Sequence, residues 1–305
     1  MLFVEYLFRK ETFTMNPTAI ILVIISAFIH SFWNLLSKKS KNKLVFNWYI
    51  VLFQPILYFP LFLYLILSNQ IELPPMGWLF IILSAFFHTF YFYFLGKTYS
   101  YGHLSLTYPI ARSSPLFVPF LAFLLVKEEL SFVGILGIII ILVGVYLLHL
   151  RSISWKSFLK STEYLKGKAT SYAFITAFFS ALYSVNDKIG VGYVRPFAYI
   201  YITCIGVSAF YLPIVFSKDN RKDIKFEWED NKKSILISSS LTLLSYLLTL
   251  YAFTIDKVSY IVSLRQSSII FGVILGTVVL NEEYGKIRIF ASIIMFIGFF
   301  LVIIA

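Results

Sequence analysis

The chain has 305 residues, a formal net charge of +11, and a composition that is 59% hydrophobic, 19% aromatic and 13% charged. Soluble domains carry roughly 25% charged residues, so a soluble enzyme and a disordered regulator are excluded. A single cysteine, Cys204, excludes an internal disulfide or a cysteine metal cluster, and His30, His88, His103 and His149 are scattered without metal-ligand spacing.

A membrane-spanning helix needs about 20 mostly apolar residues. After an amphipathic stretch, Met1–Thr14, ten such runs follow: Thr18–Leu36, Leu44–Leu67, Met76–Tyr99, Leu104–Val126, Phe132–Leu150, Ala169–Val191, Phe197–Phe216, Ser234–Thr254, Val258–Leu280 and Arg288–Ala305. Met15 is a second candidate start. The two longest links, Arg151–Lys168 and Ser217–Lys233, read as polar loops. The basic residues gather in such links, where an anionic leaflet attracts them. The charge therefore reads as membrane topology and the lipid bilayer as partner, not as a nucleic-acid footprint.

Along these runs the polar residues are few. His30, Trp33 and Asn34 follow i, i+3, i+4 spacing and share one face of the first span. His88 and Tyr91 make a similar face in the third. Arg112 lies inside the fourth span and Arg265 inside the ninth, with Ser113, Ser114, Gln266, Ser267 and Ser268 beside them. A charge within a span costs about 2.5–3.5 kcal/mol on insertion scales and faces the protein interior. Guanidinium is a permanently charged planar fork suited to carboxylate or phosphate. The two arginines are therefore candidate substrate ligands, each in the first third of its span and so expected toward opposite mouths of one pathway. Asn186 and Asp187 close the sixth span. Asp187 is a candidate proton-coupling carboxylate, or an interfacial anchor because it stands near the span end. Tyr108, Tyr183, Tyr246 and Tyr251 are candidates for an aromatic cavity wall. Gly134, Gly137, Gly144, Gly272 and Gly276 read as close-packing positions. Glu128 and Glu282 precede a helix start, where negative charge meets the positive end of the helix dipole.

Sliding the chain by 154 residues lays Ser105–Leu147 over Ser259–Leu301, with Ser113-Ser114 on Ser267-Ser268, Phe117 on Phe271, Glu128-Glu129 on Glu282-Glu283 and Gly144 on Gly298. A weaker echo pairs Asn34 with Asn186. The unit is five spans used twice. Five is odd, so the second copy enters the bilayer from the opposite side. The expected fold is an all-α membrane protein of ten transmembrane helices in two inverted five-helix repeats, residues 15–150 and 169–305 joined by a linker at 151–168. In this architecture the substrate site lies near the bilayer midplane between repeats.

Several segments resemble the EamA branch of the drug/metabolite transporter superfamily. These are "AFIHSFWNLLSKKS" (Ala27–Ser40), "YPIARSSPLF" (Tyr108–Phe117), "KEELS" (Lys127–Ser131), "ALYSVNDKIGV" (Ala181–Val191) and "SLRQSSIIFGVILGTVVLNEE" (Ser263–Glu283). The resemblance implies transport of small metabolites and both termini in the cytoplasm. Charge counting points the other way. The side that holds the link between the first two spans carries 18 Lys and Arg, and the side with both termini carries 6, which the positive-inside rule reads as termini outside.

The function expected from the sequence is a secondary transporter that moves an anionic or zwitterionic small molecule by alternating access. It works without cofactor or metal, in the cytoplasmic membrane, as a multi-pass monomer or homodimer. The alternative is a flippase for a lipid-linked substrate. A membrane-embedded enzyme would need clustered nucleophiles, acids or a phosphate-cradling glycine loop, and no such motif is present. The candidate substrate ligands are Arg112, Arg265, His30, Trp33, Asn34, His88, Tyr108, Ser113, Gln266, Ser267 and Asn186, with Asp187 for coupling.

Overall fold

A computed structural model describes residues 14–37, 40–101, 110–147, 167–271 and 286–305, and of residues 34–37, 99 and 286–289 only the backbone. Every regular element among them is a helix. In chain order they are α1 (Pro17–Ser37), α2 (Lys43–Leu67), α3 (Pro75–Tyr101), α4 (Val118–Val126), α5 (Phe132–Leu147), α6 (Lys168–Gly190), α7 (Pro196–Val215), α8 (Ile224–Ile255), α9 (Val258–Leu264) and α10 (Lys286–Ile303). Each expected span thus holds one of these helices. Among the described residues, α2, α3, α7 and α8 are long and apolar enough to cross a membrane, and α1, α5 and α10 contain shorter apolar helices. Residues 151–166 of the linker, Tyr108, Gly272, Gly276 and Glu282 lie outside the described residues.

The molecule is apolar outside and hydroxyl-rich inside. Phe132 is 80% exposed and Leu67 74%, while Ser26, Ser84, Thr176, Ser238, Ser239 and Thr249 are wholly buried. A protein in water could not present such a surface without aggregating; in lipid it costs nothing. With no hydrophobic drive between helices in a bilayer, association rests on close packing and interhelical hydrogen bonds. Both are visible between α1 and α8, where the Ser26 hydroxyl lies 3.1 Å from that of Ser245 and 2.8 Å from that of Thr249.

The inverted repeat is written into the contacts. α3 packs on α6 as α8 packs on α1, α3 meets α7 as α8 meets α2, and α5 packs on α10. At that last contact a Cβ on Gly144 would lie 3.1 Å from the Ala291 carbonyl, and one on Gly298 would lie 2.8 Å from the Gly137 carbonyl. The offset of 154 residues carries the first pair onto the second. The contact is its own image, as across a two-fold axis.

Two expectations are corrected here. α8 begins at Ile224, ten residues before the apolar run, so most of Ser217–Lys233 is helical. Its first turns are held by the link between α1 and α2. The Asn42 amide donates to Asp223 at 2.9 Å, the Asn42 backbone N–H donates to the wholly buried Glu227 at 2.5 Å, and Lys41 lies 3.6 Å from Asp223. Loop composition hid a helix that is stabilised by tertiary partners. The same offset carries Lys41 to Arg195, which donates to Gln70 at 2.9 Å in the links between α6 and α7 and between α2 and α3. Each end of the bundle therefore carries a tie between repeats, one with a carboxylate and one with a neutral amide.

Second, Glu128 does not serve the helix that follows it. Its carboxylate accepts from Val258 N at 2.9 Å and Ser259 N at 3.1 Å, capping α9 of the other repeat. Lys188 closes the neighbouring end, donating to the Phe253 carbonyl and, at 2.7 Å, to the Asp256 carbonyl at the C-terminus of α8. The tight α8–α9 turn is thus held at both helix ends. Replacing Glu128 by alanine removes a cap worth about 1 kcal/mol and should lower the melting temperature by a few degrees; an unchanged melting curve would show the cap to be idle.

The Asn42 hydrogen bond and the nearby Lys41 hold the Asp223 carboxyl below its usual range. A depressed folded-state value contributes stability above the ordinary carboxylate range, near pH 4, and loses it as pH falls through the folded value. Wild type should therefore melt above Asp223→Asn at pH 7, and the gap should close on acidification below about pH 4. A gap that stays constant with pH would assign the effect to shape rather than charge.

Candidate functional site

The fourth and ninth spans are not continuous helices. In the fourth, a turn at Arg112 and Ser113 leads into a short 3-10 segment, Ser114–Leu116, before α4 begins. Pro115 lacks the N–H for a helical bond and clashes with the preceding turn. In the ninth, α9 stops at Leu264, Arg265 and Gln266 form a turn, and helix resumes at 267–271. Here the backbone tightens into i to i−3 bonds, Ser268 N to Arg265 O at 3.1 Å and Ile269 N to Gln266 O at 2.9 Å. Irregular backbone at membrane depth is tolerated where it is buried in protein or lines a cavity, and broken helices are where transporter sites form.

The breaks bring the two arginines together. Arg112 Nη2 lies 2.6 Å from His30 Nε2, and Arg265 Nη2 lies 3.5 Å from His30 Nδ1. The expectation of opposite mouths is therefore corrected. Both arginines, one from each repeat, reach the one imidazole of α1. Trp33 Nε1 donates to His30 Nδ1 at 3.3 Å, its ring edge-on to the imidazole at 5.2 Å. Both ring nitrogens face N–H donors, whereas a neutral imidazole accepts at only one. The centre is rich in donors.

Arg265 lies over the Tyr246 ring at 5.2 Å, and its Nε is buried without a hydrogen-bond partner. The buried Gln266 Oε1 and the Ser267 and Ser268 hydroxyls are likewise unpartnered. Arg112, Arg265, Gln266, Ser114, Ser180, Ser184, Tyr91 and Tyr183 surround a cavity of about 20 Å³, space for water rather than a metabolite. Among the described residues the site is closed to a metabolite.

An aromatic box adjoins it. His88 stacks on Tyr183 at 3.9 Å and meets Tyr246 edge-on at 5.4 Å, while Tyr91 meets Tyr183 edge-on at 5.4 Å. His88 Nδ1 lies 3.0 Å from the Ser84 carbonyl. Tyr246 then joins the arginine centre to Asp187. Its hydroxyl donates to Asp187 Oδ2 at 2.5 Å, Tyr199 donates to Oδ1 at 2.7 Å, and Asn186 approaches Oδ1 at 3.3 Å. Asp187 is 0% exposed, so the interfacial-anchor reading is corrected. Tyr199 of α7 and Tyr246 of α8 close over Asp187.

The candidates thus separate by place. Arg112, Arg265, His30, Trp33 and Gln266 converge on the centre, His88 stands behind it in the aromatic box, and Ser267 is buried next to Gln266 in the chain. Asn186 donates to the Phe80 carbonyl at 2.9 Å and belongs to the Asp187 cluster. Ser113 sits in the backbone turn beside the cavity. Tyr251 is 43% exposed on the outer face of α8, which removes it from the cavity wall. The Asn34 side chain and Tyr108 lie outside the described residues. Ser180, Ser184 and Tyr199 were not legible as site residues. Nothing in the sequence separates Tyr199 from the other tyrosines until α7 is laid against α6.

A model of the EamA-like transporter family matches residues 17–150 and 167–304, once for each half of the chain. No curated protein matches the sequence. Among solved structures 27 chains match. One, described only as "Crystal structure of protein", superposes with a TM-score of 0.69 at 12% identity, covering 93% of this chain and 96% of its own. That likeness shows the fold alone.

Proposed function

We propose that this chain, which belongs to the EamA-like transporter family and is thereby a membrane transporter of small molecules, is a secondary transporter for an anionic or zwitterionic metabolite, working by alternating access in the cytoplasmic membrane. The observation that carries this reading is the Arg265 guanidinium, half-buried at a helix break with its Nε enclosed and unpartnered and without an acidic partner among the described residues. A charge kept inside a membrane protein at such cost has a function. A carboxylate or phosphate supplies the acceptors that the donor-rich centre lacks. The broken helices give two half-helices per repeat that can rock about the two-fold contact of α5 with α10. Asp187, which hydrogen-bonds Tyr246 beneath Arg265, acts on the site through that tyrosine.

The test is thermal unfolding of the detergent-purified protein against anionic, zwitterionic and cationic metabolites and short-chain lipid phosphates, with Arg112→Gln and Arg265→Gln alongside. A ligand that binds only the folded state raises the melting temperature. Stabilisation by a soluble anion or zwitterion that both variants lose supports the reading. Stabilisation only by lipid phosphates would favour a flippase, and stabilisation only by cations, unchanged in the variants, would overturn it.

A further inference from the structure

Ser and Thr buried in a helix ordinarily satisfy their hydroxyls on the carbonyl four residues back. Ser239 does so, donating to Ile235 O at 2.7 Å. Its neighbours do not. Ser238 and Thr242 on α8, and Ser208 and Tyr211 on α7, carry buried hydroxyls with no hydrogen-bond partner. Ser238 and Tyr211 are 0% exposed. An unsatisfied hydroxyl in an apolar interior costs about 1–3 kcal/mol, so a group of them needs an explanation.

Their placement supplies one. Ser238, Thr242 and Tyr246 are spaced by four residues, one stripe of α8. The stripe begins at the Tyr246 ring under Arg265 and runs toward the N-terminal end of α8, the end tied to Asn42 and Lys41. Tyr211 belongs to a buried cluster at that same end, with Trp33, Trp48 and Ile235. Trp33 also reaches the centre, donating to His30. The cluster therefore lies between the arginines and the lysine-rich face, and the unpartnered hydroxyls run alongside it.

We infer that Ser238 and Thr242 of α8, with Ser208 and Tyr211 of α7, line the half of the translocation pathway between the arginine centre and the lysine-rich face, shut here by the aromatic cluster around Trp33. In the open state these hydroxyls meet water and the passing anion. This rests on the transporter reading above and adds the route to it.

The single cysteine makes the test direct. Cys204 donates to Gln54 Oε1 at 2.8 Å, a bond that Cys204→Ser keeps. In that background, single variants Ser238→Cys, Thr242→Cys and Ser239→Cys are made in the full chain. They are treated in membrane vesicles of both orientations with charged methanethiosulfonates, the sulfonatoethyl anion and the trimethylammonioethyl cation. Ser239→Cys is a control matched for depth and burial. The inference expects Ser238→Cys and Thr242→Cys to react from the lysine-rich face and Ser239→Cys not to. At Thr242→Cys the anion should react faster than the cation by about tenfold or more, because the arginines concentrate it. Ser208→Cys gives the same reading from α7 if an α8 variant does not accumulate. Three equally inert or three equally reactive positions on α8 would overturn the route. If they are inert while Arg265→Gln still abolishes anion-dependent stabilisation, the centre stands and the path lies elsewhere. Reaction at Ser238→Cys and Thr242→Cys without any anion effect would keep the route and remove the anion.

Discussion

Arg265→Gln should weaken binding of the stabilising anion by about 30-fold or more, because removing one partner of a buried charge pair costs 2–5 kcal/mol. The reason to expect a large loss of binding with little loss of fold lies in what Arg265 touches. Its side chain reaches His30 only at 3.5 Å, its Nε has no partner, and it lies over the Tyr246 ring. Glutamine therefore breaks no strong internal bond, and it removes from the membrane interior a charge that is unpaired without substrate. The apo variant should melt at or above the wild-type temperature while its ligand-dependent rise disappears. Arg265→Lys separates charge from shape. An ammonium keeps the charge and loses the fork, so it should recover part of the affinity for a small anion and little for one held bidentately. Tyr246→Phe keeps the ring under Arg265 but leaves an Asp187 oxygen without its 2.5 Å hydroxyl. It should lower stability more than Arg265→Gln and binding less. An Arg265→Gln protein that binds as well as wild type would sink the anion site. One that fails to fold would make Arg265 a structural residue.

The parts of this picture that were legible in the sequence were those set by the bilayer and by duplication. Apolar length placed the helices, and the coincidence of Ser-Ser, Glu-Glu and Gly at one offset gave the repeat and its inversion. Arg112 and Arg265 were legible because a charge in an apolar run is costly. What remained hidden was what only packing decides. Both arginines reach one imidazole because their helices break, and only the fourth span announces its break, with Pro115 and Pro119; the turn at Arg265 has no such residue. Asp187 stands near the end of its span, a position that reads as interfacial until α7 and α8 cover it with Tyr199 and Tyr246. Glu128 reads as the cap of the next helix and caps α9 instead, because the offset shows which residues correspond but not which ones touch.

The contact of α5 with α10 carries the second large effect. A methyl at Gly298 would lie 2.8 Å from Gly137 O and 2.9 Å from Ile141 N, both backbone atoms. Neither can rotate away, so the helices must part, and in a membrane close approach is itself the source of affinity between helices. Gly298→Val should cost about 3 kcal/mol or more and lower the melting temperature by roughly 5 °C or more, following the usual scaling of melting temperature with stability. Gly77 is the internal comparison. A methyl there would be closest to Val194 Cγ2 at 2.5 Å, a side chain that can turn, and Gly77→Ala should cost less than half as much. The two-fold relation sharpens the expectation, since Gly137 is the counterpart of Ala291 and faces Gly298 as Ala291 faces Gly144. Gly298→Val and Gly144→Val strike equivalent contacts. Gly144 also meets Met295 Cγ, whose flexible side chain can yield, while its nearest backbone atoms are at 3.1 Å. The predicted order of destabilisation is therefore Gly298→Val, then Gly144→Val, then Gly77→Ala, read as melting temperatures of the purified variants. If α5 and α10 also form the pivot for alternating access, Gly298→Val should slow transport in cells even at matched protein levels, whereas Gly77→Ala should not. A Gly298→Val protein that melts with wild type would show that the helices do not meet at this crossing, and the two-fold reading of the contact would fall with it.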